Sequence, residues 1–260
     1  MNRTAGTVRT MLVRRVPRDL WIFGVVLAWI ALGAGTDHGA GIWRQRLVGM
    51  LTWGLLIWLL RGESRRVRAQ VAVVIAVATC VEYTASPMLG FYTYRLHNVP
   101  AYVPPGHGLV YLAALAAGRS ALAARYRRPF TLGALAVCGT WALWGVTLAP
   151  RQDLLGAIMF VFLARFILVG RQPLVYASAF VVCTYLELIG TNAGAWTWAM
   201  HGPAGLVSQG NPPSGIPGGY CFFDAAGLRL TPALLTALER LPALAARRPR
   251  LELGVEHDPG

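Results

Sequence analysis

Eight apolar stretches, parted by short segments that carry most of the arginines, fill the chain: 20–35, 47–60, 69–90, 107–124, 130–149, 154–170, 173–193 and 216–238. A helix that crosses a bilayer needs roughly 20 mostly apolar residues, with about 17 as the lower limit. Inside hydrocarbon the backbone N–H and C=O groups have no water to bond, so such stretches can cross only as helices that satisfy those groups internally. The second stretch is short, and the eighth is interrupted by Asp224 and Arg229. The pattern predicts an all-α fold, a polytopic transmembrane helical bundle of about eight helices.

Composition agrees: 55% of residues are hydrophobic and 13% charged, against about a quarter charged in soluble domains. The net charge of +13 raises nucleic acid as a partner. A nucleic-acid binder, however, gathers its charge on one solvated face, and here the arginines sit in clusters between apolar runs. With the N-terminus inside, 18 arginines fall in internal segments and only Arg44, Arg46, Arg95 and Arg151 in external ones. Such a bias orients a membrane protein with its positive loops in the cytoplasm. The expectation is therefore a multi-pass inner-membrane protein with both termini cytoplasmic and no nucleic-acid partner. An arginine-rich start precedes the first apolar run without an A-x-A-like cleavage pattern, so that run is read as a retained helix.

The chain also repeats itself. Arg44-Gln45-Arg46-Leu47-Val48-Gly49 matches Arg151-Gln152-Asp153-Leu154-Leu155-Gly156. Glu82, followed by Gly90-Phe91-Tyr92-Thr93-Tyr94, matches Glu187, followed by Gly194-Ala195-Trp196-Thr197-Trp198, once one residue is gapped. Pro104-Pro105-Gly106 before Tyr111 echoes Pro212-Pro213-Ser214 before Tyr220, and Ala116-Ala117-Gly118-Arg119 echoes Ala225-Ala226-Gly227-Leu228-Arg229. The order is the same in both sets, which predicts two tandem four-helix repeats. The division runs as a cytoplasmic tail over 1–19, membrane repeats over 20–128 and 129–240, and a second cytoplasmic tail over 241–260. An even helix number per copy makes the copies parallel, related by an axis along the membrane normal, and sites in such folds form where the copies meet.

Glu82 and Glu187 lie in apolar sequence, where a charge costs at least about 2.5 kcal/mol on insertion scales. Each therefore faces a partner, a cavity or water, and the two are candidate acid and base; the bland reading is a carboxyl that only links helices. His107 and Asp224 begin the fourth and eighth helices. A His near a Glu in low dielectric can pass a proton, whereas helix capping for His107, and an ion pair of Asp224 with Arg229 or Arg119, are the structural readings. Tyr92, Tyr94, Trp196 and Trp198 stand in two long external loops rich in aromatics, Pro and Gly. They are read as the wall of an apolar binding site or as an aromatic belt at the interface. Arg95, Asn192 and Asn211 are candidates for bonding a polar group of the substrate, with turn chemistry as the alternative.

Four cysteines, Cys80, Cys138, Cys183 and Cys221, show no CxxC spacing, so neither a zinc site nor a disulfide framework is indicated. Nucleotide-binding, zinc-protease, nucleophile-elbow and twin Asp-rich motifs are missing. No metal or other cofactor is expected.

The run Glu187-Leu188-Ile189-Gly190-Thr191-Asn192-Ala193-Gly194-Ala195-Trp196-Thr197-Trp198 resembles a pattern of the polytopic carotenoid hydratases, the family that includes bisanhydrobacterioruberin hydratase. Glu82, Gly90, Tyr92 and Tyr94 fit it loosely. The resemblance covers about a dozen residues per copy and implies water addition to an isoprenoid double bond, begun by protonation from a buried acid.

These readings lead to an integral membrane enzyme acting on an isoprenoid or other lipid by acid/base chemistry: hydration, cyclisation or isomerisation. A proton-coupled transporter or lipid-binding membrane protein is the alternative, and a structural partner of a larger envelope complex a third. Membrane lipids and an apolar small molecule are the expected partners; the oligomeric state stays open.

Overall fold

The computed structural model describes the backbone of residues 3–246 and the side chains of residues 18–240; the tail expected over 241–260 lies, beyond Ala246, outside the described residues. Nine α-helices occur among the described residues: α1 (Arg3–Asp37), α2 (Ile42–Leu60), α3 (Arg65–Tyr83), α4 (Val103–Gly118), α5 (Ala121–Arg125), α6 (Arg127–Thr147), α7 (Leu154–Val169), α8 (Pro173–Asn192) and α9 (Pro217–Ala246). Five contain segments long and apolar enough to cross a membrane: Arg18–Asp37, Arg65–Met88, Arg127–Thr147, Pro173–Asn192 and Pro217–Arg240. They point to a membrane protein.

The helix ends follow local chemistry. Ser64 caps α3 by accepting from the Val67 N–H at 3.3 Å, one of the orphan donors of a first turn. At its other end α3 widens into a π-turn over Thr84–Met88 that contains Pro87, whose ring has no N–H to donate. The fourth apolar run, read over 107–124, divides: α4 stops at Gly118, and Ser120 caps the short α5 by accepting from Ala123 N–H at 3.2 Å. The second helix is longer than its apolar run. It starts at Ile42 and takes in Arg44 and Arg46, and the Arg46 guanidinium lies 4.7 Å above the Trp43 ring.

Four helices form the inner ring, with α3 against α4, α4 against α8, α8 against α9, and α9 back against α3. Outside it, α1 and α2 pack on α4, α6 on α8, and α7 on α8 and α9. Two glycines set the closest approaches. A methyl group on Gly118 would lie 2.8 Å from the Val175 amide nitrogen of α8, and one on Gly227 would lie 2.8 Å from Val74 of α3. The α4–α8 and α3–α9 contacts thus use the glycines of the Ala116-Ala117-Gly118 and Ala225-Ala226-Gly227 runs. Overpacking such a contact typically costs about 1–3 kcal/mol, so Gly118→Val should lower thermal stability in detergent by that amount while leaving helix content by circular dichroism near that of the parent.

At one end of the bundle, Arg119 donates to Asp19 at 2.6 Å and to Glu63 at 2.8 Å, and Arg18 reaches Glu63 at 3.0 Å. The long loops gather at the other end, where β1 (Tyr92–Tyr94) pairs antiparallel with β2 (Trp196–Trp198). The register sets Tyr92 opposite Trp198, Thr93 opposite Thr197 and Tyr94 opposite Trp196. Gly90 and Gly194, each two residues before its strand, both take φ +69°, a left-handed conformation that glycine adopts without steric cost. The four rings point inward and the two threonines outward.

Candidate functional site

Because α3 and α8 both run toward the loop end, Glu82 and Glu187 stand late in their helices, directly beneath the two strands. The strand alternation turns every second side chain down onto them. Glu82 Oε2 accepts the Tyr92 and Tyr94 hydroxyls at 2.6 and 2.7 Å. Glu187 Oε2 accepts the indole N–H groups of Trp196 and Trp198 at 3.0 and 3.1 Å. In each half, one carboxyl oxygen is thus held by two aromatic donors from the strand that follows it. Burial, and then the charge of Glu82, hold the Tyr92 and Tyr94 phenols well above their ordinary range, so both remain hydroxyl donors.

The second oxygens differ. His107 Nε2 lies 2.8 Å from Glu82 Oε1, both side chains being buried. Glu187 Oε1 has only the Tyr220 hydroxyl, at 3.5 Å. Glu82 therefore has a partner able to carry positive charge, and Glu187 has none among the described residues. Tyr220 stacks on His107 with ring centroids 5.3 Å apart, and Phe223 meets His107 edge-on at 5.4 Å. Glu82, His107, Glu187 and Tyr220 come one each from α3, α4, α8 and α9, so the inner ring converges on one point.

Around that point lies a cavity of about 450 Å³. Both glutamates, His107, Tyr220 and the four strand aromatics line it, and aliphatic and aromatic side chains make up most of the remaining wall. Val48 from α2 and Leu155 from α7 line it as well. Gly190 makes room for the indole of Trp196, whose ring occupies the place that a methyl group there would need.

The chain matches no described family, no curated protein and no solved structure.

Other sequence-predicted residues stand outside the cavity. Arg95 donates to Asp37 at 3.3 Å and to the Ala40 carbonyl at 2.7 Å, tying the strand to the end of α1. Asn192 donates to Leu188 O of its own helix at 2.7 Å. Asn211 accepts the Trp198 N–H at 3.0 Å, so it holds β2 in place. Asp224 is buried on α9 below the cavity and makes no ion pair among the described residues; Arg119 is committed to Asp19 and Glu63. Cys138, Cys183 and Cys221 are buried and Cys80 exposed, all as free thiols. No cluster of three or more His, Cys, Asp or Glu able to hold a metal occurs among the described residues.

Sequence reasoning passed over Tyr220 as a site residue, and also Asp153. The Asp153 carboxylate accepts the N–H groups of Gly156, Gly210 and Ser214 at 2.9, 2.8 and 2.7 Å and the Ser214 hydroxyl at 2.8 Å. Beside it, Arg151 donates to the carbonyls of Gln209 at 2.6 Å and Trp198 at 2.7 Å, and to that of Ala199. Together they fasten the 199–216 loop, and with it β2, to the start of α7. On α2, Gln45 accepts from Asn98 at 2.8 Å and donates to Asp37 at 3.3 Å.

Proposed function

We propose that this chain is an integral membrane enzyme that acts on an isoprenoid or other apolar lipid by acid/base chemistry, through hydration, cyclisation or isomerisation. It is a helical bundle of two tandem four-helix repeats in the inner membrane, with both termini cytoplasmic and the site beneath the external loops. The observation that carries the reading is a single, largely apolar cavity into which each half buries one carboxyl group, Glu82 and Glu187, each under its own pair of aromatic donors.

Glu187, without a cationic neighbour, is the acid. Its proton forms a new C–H bond with the π electrons of a substrate double bond, leaving positive charge on the adjacent carbon. The Tyr92, Tyr94, Trp196 and Trp198 rings and the Glu82 carboxylate face that charge; an aromatic face attracts a cation by about 0.5–2 kcal/mol. The Glu82–His107 pair then accepts a proton, either from a water whose oxygen has bonded the cationic carbon or from a neighbouring carbon as the double bond re-forms. The largely apolar wall offers the cation few polar groups to attack it, and the two protons balance.

The test is a comparison of lipid extracts from cells carrying the parent chain, Glu82→Gln or Glu187→Gln. Each variant should accumulate an apolar precursor and lose its product. Unchanged lipids at normal protein levels would end the proposal. An imposed pH gradient that drives uptake of an apolar solute into vesicles, with lipids unchanged, would favour a transporter in its place.

A further inference from the structure

The cavity reaches the surface of the bundle on one side. Of the described residues that line it, Val81 of α3 and Phe222 of α9 alone are exposed, at 41% and 48%. Both stand in segments long and apolar enough to cross a membrane, so in a membrane they face lipid. The two are also close in height. Arg65 at the start of α3 lies 3.4 Å from Glu239, far along α9, and a methyl group on Gly227 would lie 2.8 Å from Val74, so the two helices run antiparallel in one register. Continued toward the strands, that register brings Val81 level with Tyr220 and, at about 1.5 Å per residue, within about 3 Å of the height of Phe222.

Around α9 the cavity turns from the inside of the bundle to the outside. At about 100° per residue, Tyr220, Phe223, Gly219 and Phe222 follow one another over roughly 160° of the helix, and all four line the cavity. The inner end of that arc is Tyr220, whose hydroxyl is 3.5 Å from Glu187 Oε1. The outer end is Phe222, which meets the Phe162 and Phe166 rings of α7 at 5.2 and 5.0 Å between centroids. Midway, Gly219 has no side chain to close the way, and a methyl group there would touch only Met159 Sδ, at 3.9 Å. On the opposite side the wall is doubled, because α1 packs on α4 and α8 and lines the cavity with no exposed residue. Among the described residues α3 packs on α4 and α9 and carries no such outer helix.

We propose that the substrate is a long-chain lipid that enters sideways from the bilayer between α3 and α9, over Gly219. Its reacting end lies beside Glu187, and the rest of its chain stays in hydrocarbon. The proposal rests on the acid/base reading above for the reaction and on this passage for the substrate class. Val81, Met159, Gly219, Phe222 and Phe223 give the passage no polar side chain, which suits an apolar chain and no charged solute. A cavity of about 450 Å³ is of the size that encloses a drug-sized molecule, so a membrane lipid is held by one end. A lateral path also spares the apolar chain a transfer through water.

The full chain in phosphatidylcholine nanodiscs that contain a long-chain alkyl diazirine, irradiated and digested, reports how far an apolar chain penetrates. Label should appear on Tyr220 and Phe223 of the parent as well as on lipid-facing residues, and Gly219→Leu should lose the inner label alone. The added side chain starts in open space, so thermal stability should stay near that of the parent. Val81→Trp, which narrows the passage from the facing helix, should give the same labelling pattern. In lipid extracts both variants should accumulate the precursor seen with Glu187→Gln, with product lower by on the order of a hundredfold, the cost of denying a substrate its reacting geometry. No inner label in the parent, inner label that persists in both variants, or full product formation in both overturns the lateral entry. Inner label lost in both variants, beside unchanged lipids in Glu187→Gln, instead sinks the acid/base reading and leaves the passage standing.

Discussion

Glu187→Gln should cut product formation by about 10²–10⁴-fold, the usual contribution of a positioned general acid, with little loss of folded protein. The amide keeps the size of the carboxyl, and its oxygen still accepts the Trp196 and Trp198 indole N–H groups, now 3.0 and 3.1 Å from Glu187 Oε2. The NH₂ group then takes the place of Oε1, beside the Tyr220 hydroxyl, and has no acidic proton to give. Glu82→Gln should differ in kind. It replaces the carboxylate that accepts both tyrosine hydroxyls and meets His107 with an amide that has one acceptor oxygen, and each buried group left unsatisfied costs about 1–3 kcal/mol, so both product and folded protein should fall. The ratio of precursor to product, normalised to the amount of folded chain, separates the two variants. Equal, merely proportional losses would mean that Glu187 only links helices.

Asp153→Ala should be the most destabilising substitution away from the cavity, on the order of 3–5 kcal/mol. It strands three buried N–H groups and a hydroxyl, and each unsatisfied buried donor costs about 1–3 kcal/mol. Asp153→Asn keeps one acceptor oxygen but turns an NH₂ group toward N–H donors, so an intermediate loss is expected. Thermal unfolding in detergent measures the order, Ala worse than Asn. Tryptophan emission should move to the red at the same time, because β2 is fastened through Arg151 and Gln209 of the same cluster. An Asp153→Ala chain as stable as the parent would mean that the loop is held from elsewhere.

The helices were legible because hydrocarbon-compatible sequence of this length has few other solutions. Their ends were less so. Arg44 and Arg46 read as loop, yet they extend α2 on its exposed face, and the break after Gly118 depends on the Ser120 cap. Glu82, Glu187 and the two aromatic triplets were legible for another reason: the same order of Glu, Gly and aromatic triplet occurs twice, with spacings that differ by one residue, and charge in apolar sequence is costly enough to mark itself. Residue type alone could not say where a side chain points. Asn192 bonds its own helix and Arg95 the end of α1, although either type suits a polar ligand. Tyr220 in an apolar helix reads as core, and only the α4–α9 geometry sets it against His107. The Asp153 cluster joins residues 57 and 61 positions apart, a closure that no local pattern announces.

The most direct test concerns the convergence of the two halves. In a chain with Cys80→Ser, cysteines replacing Thr93 and Thr197 occupy directly opposed strand positions with outward side chains. Opposed antiparallel residues lie about 4.5–5.5 Å apart at Cα, within the range a disulfide spans. After cleavage at a protease site placed in the α5–α6 turn, the halves should run as one band without reductant and as two with it. Two bands under oxidising conditions, with both thiols open to labelling, would contradict a shared cap of strands and leave Glu82 and Glu187 without a common cavity.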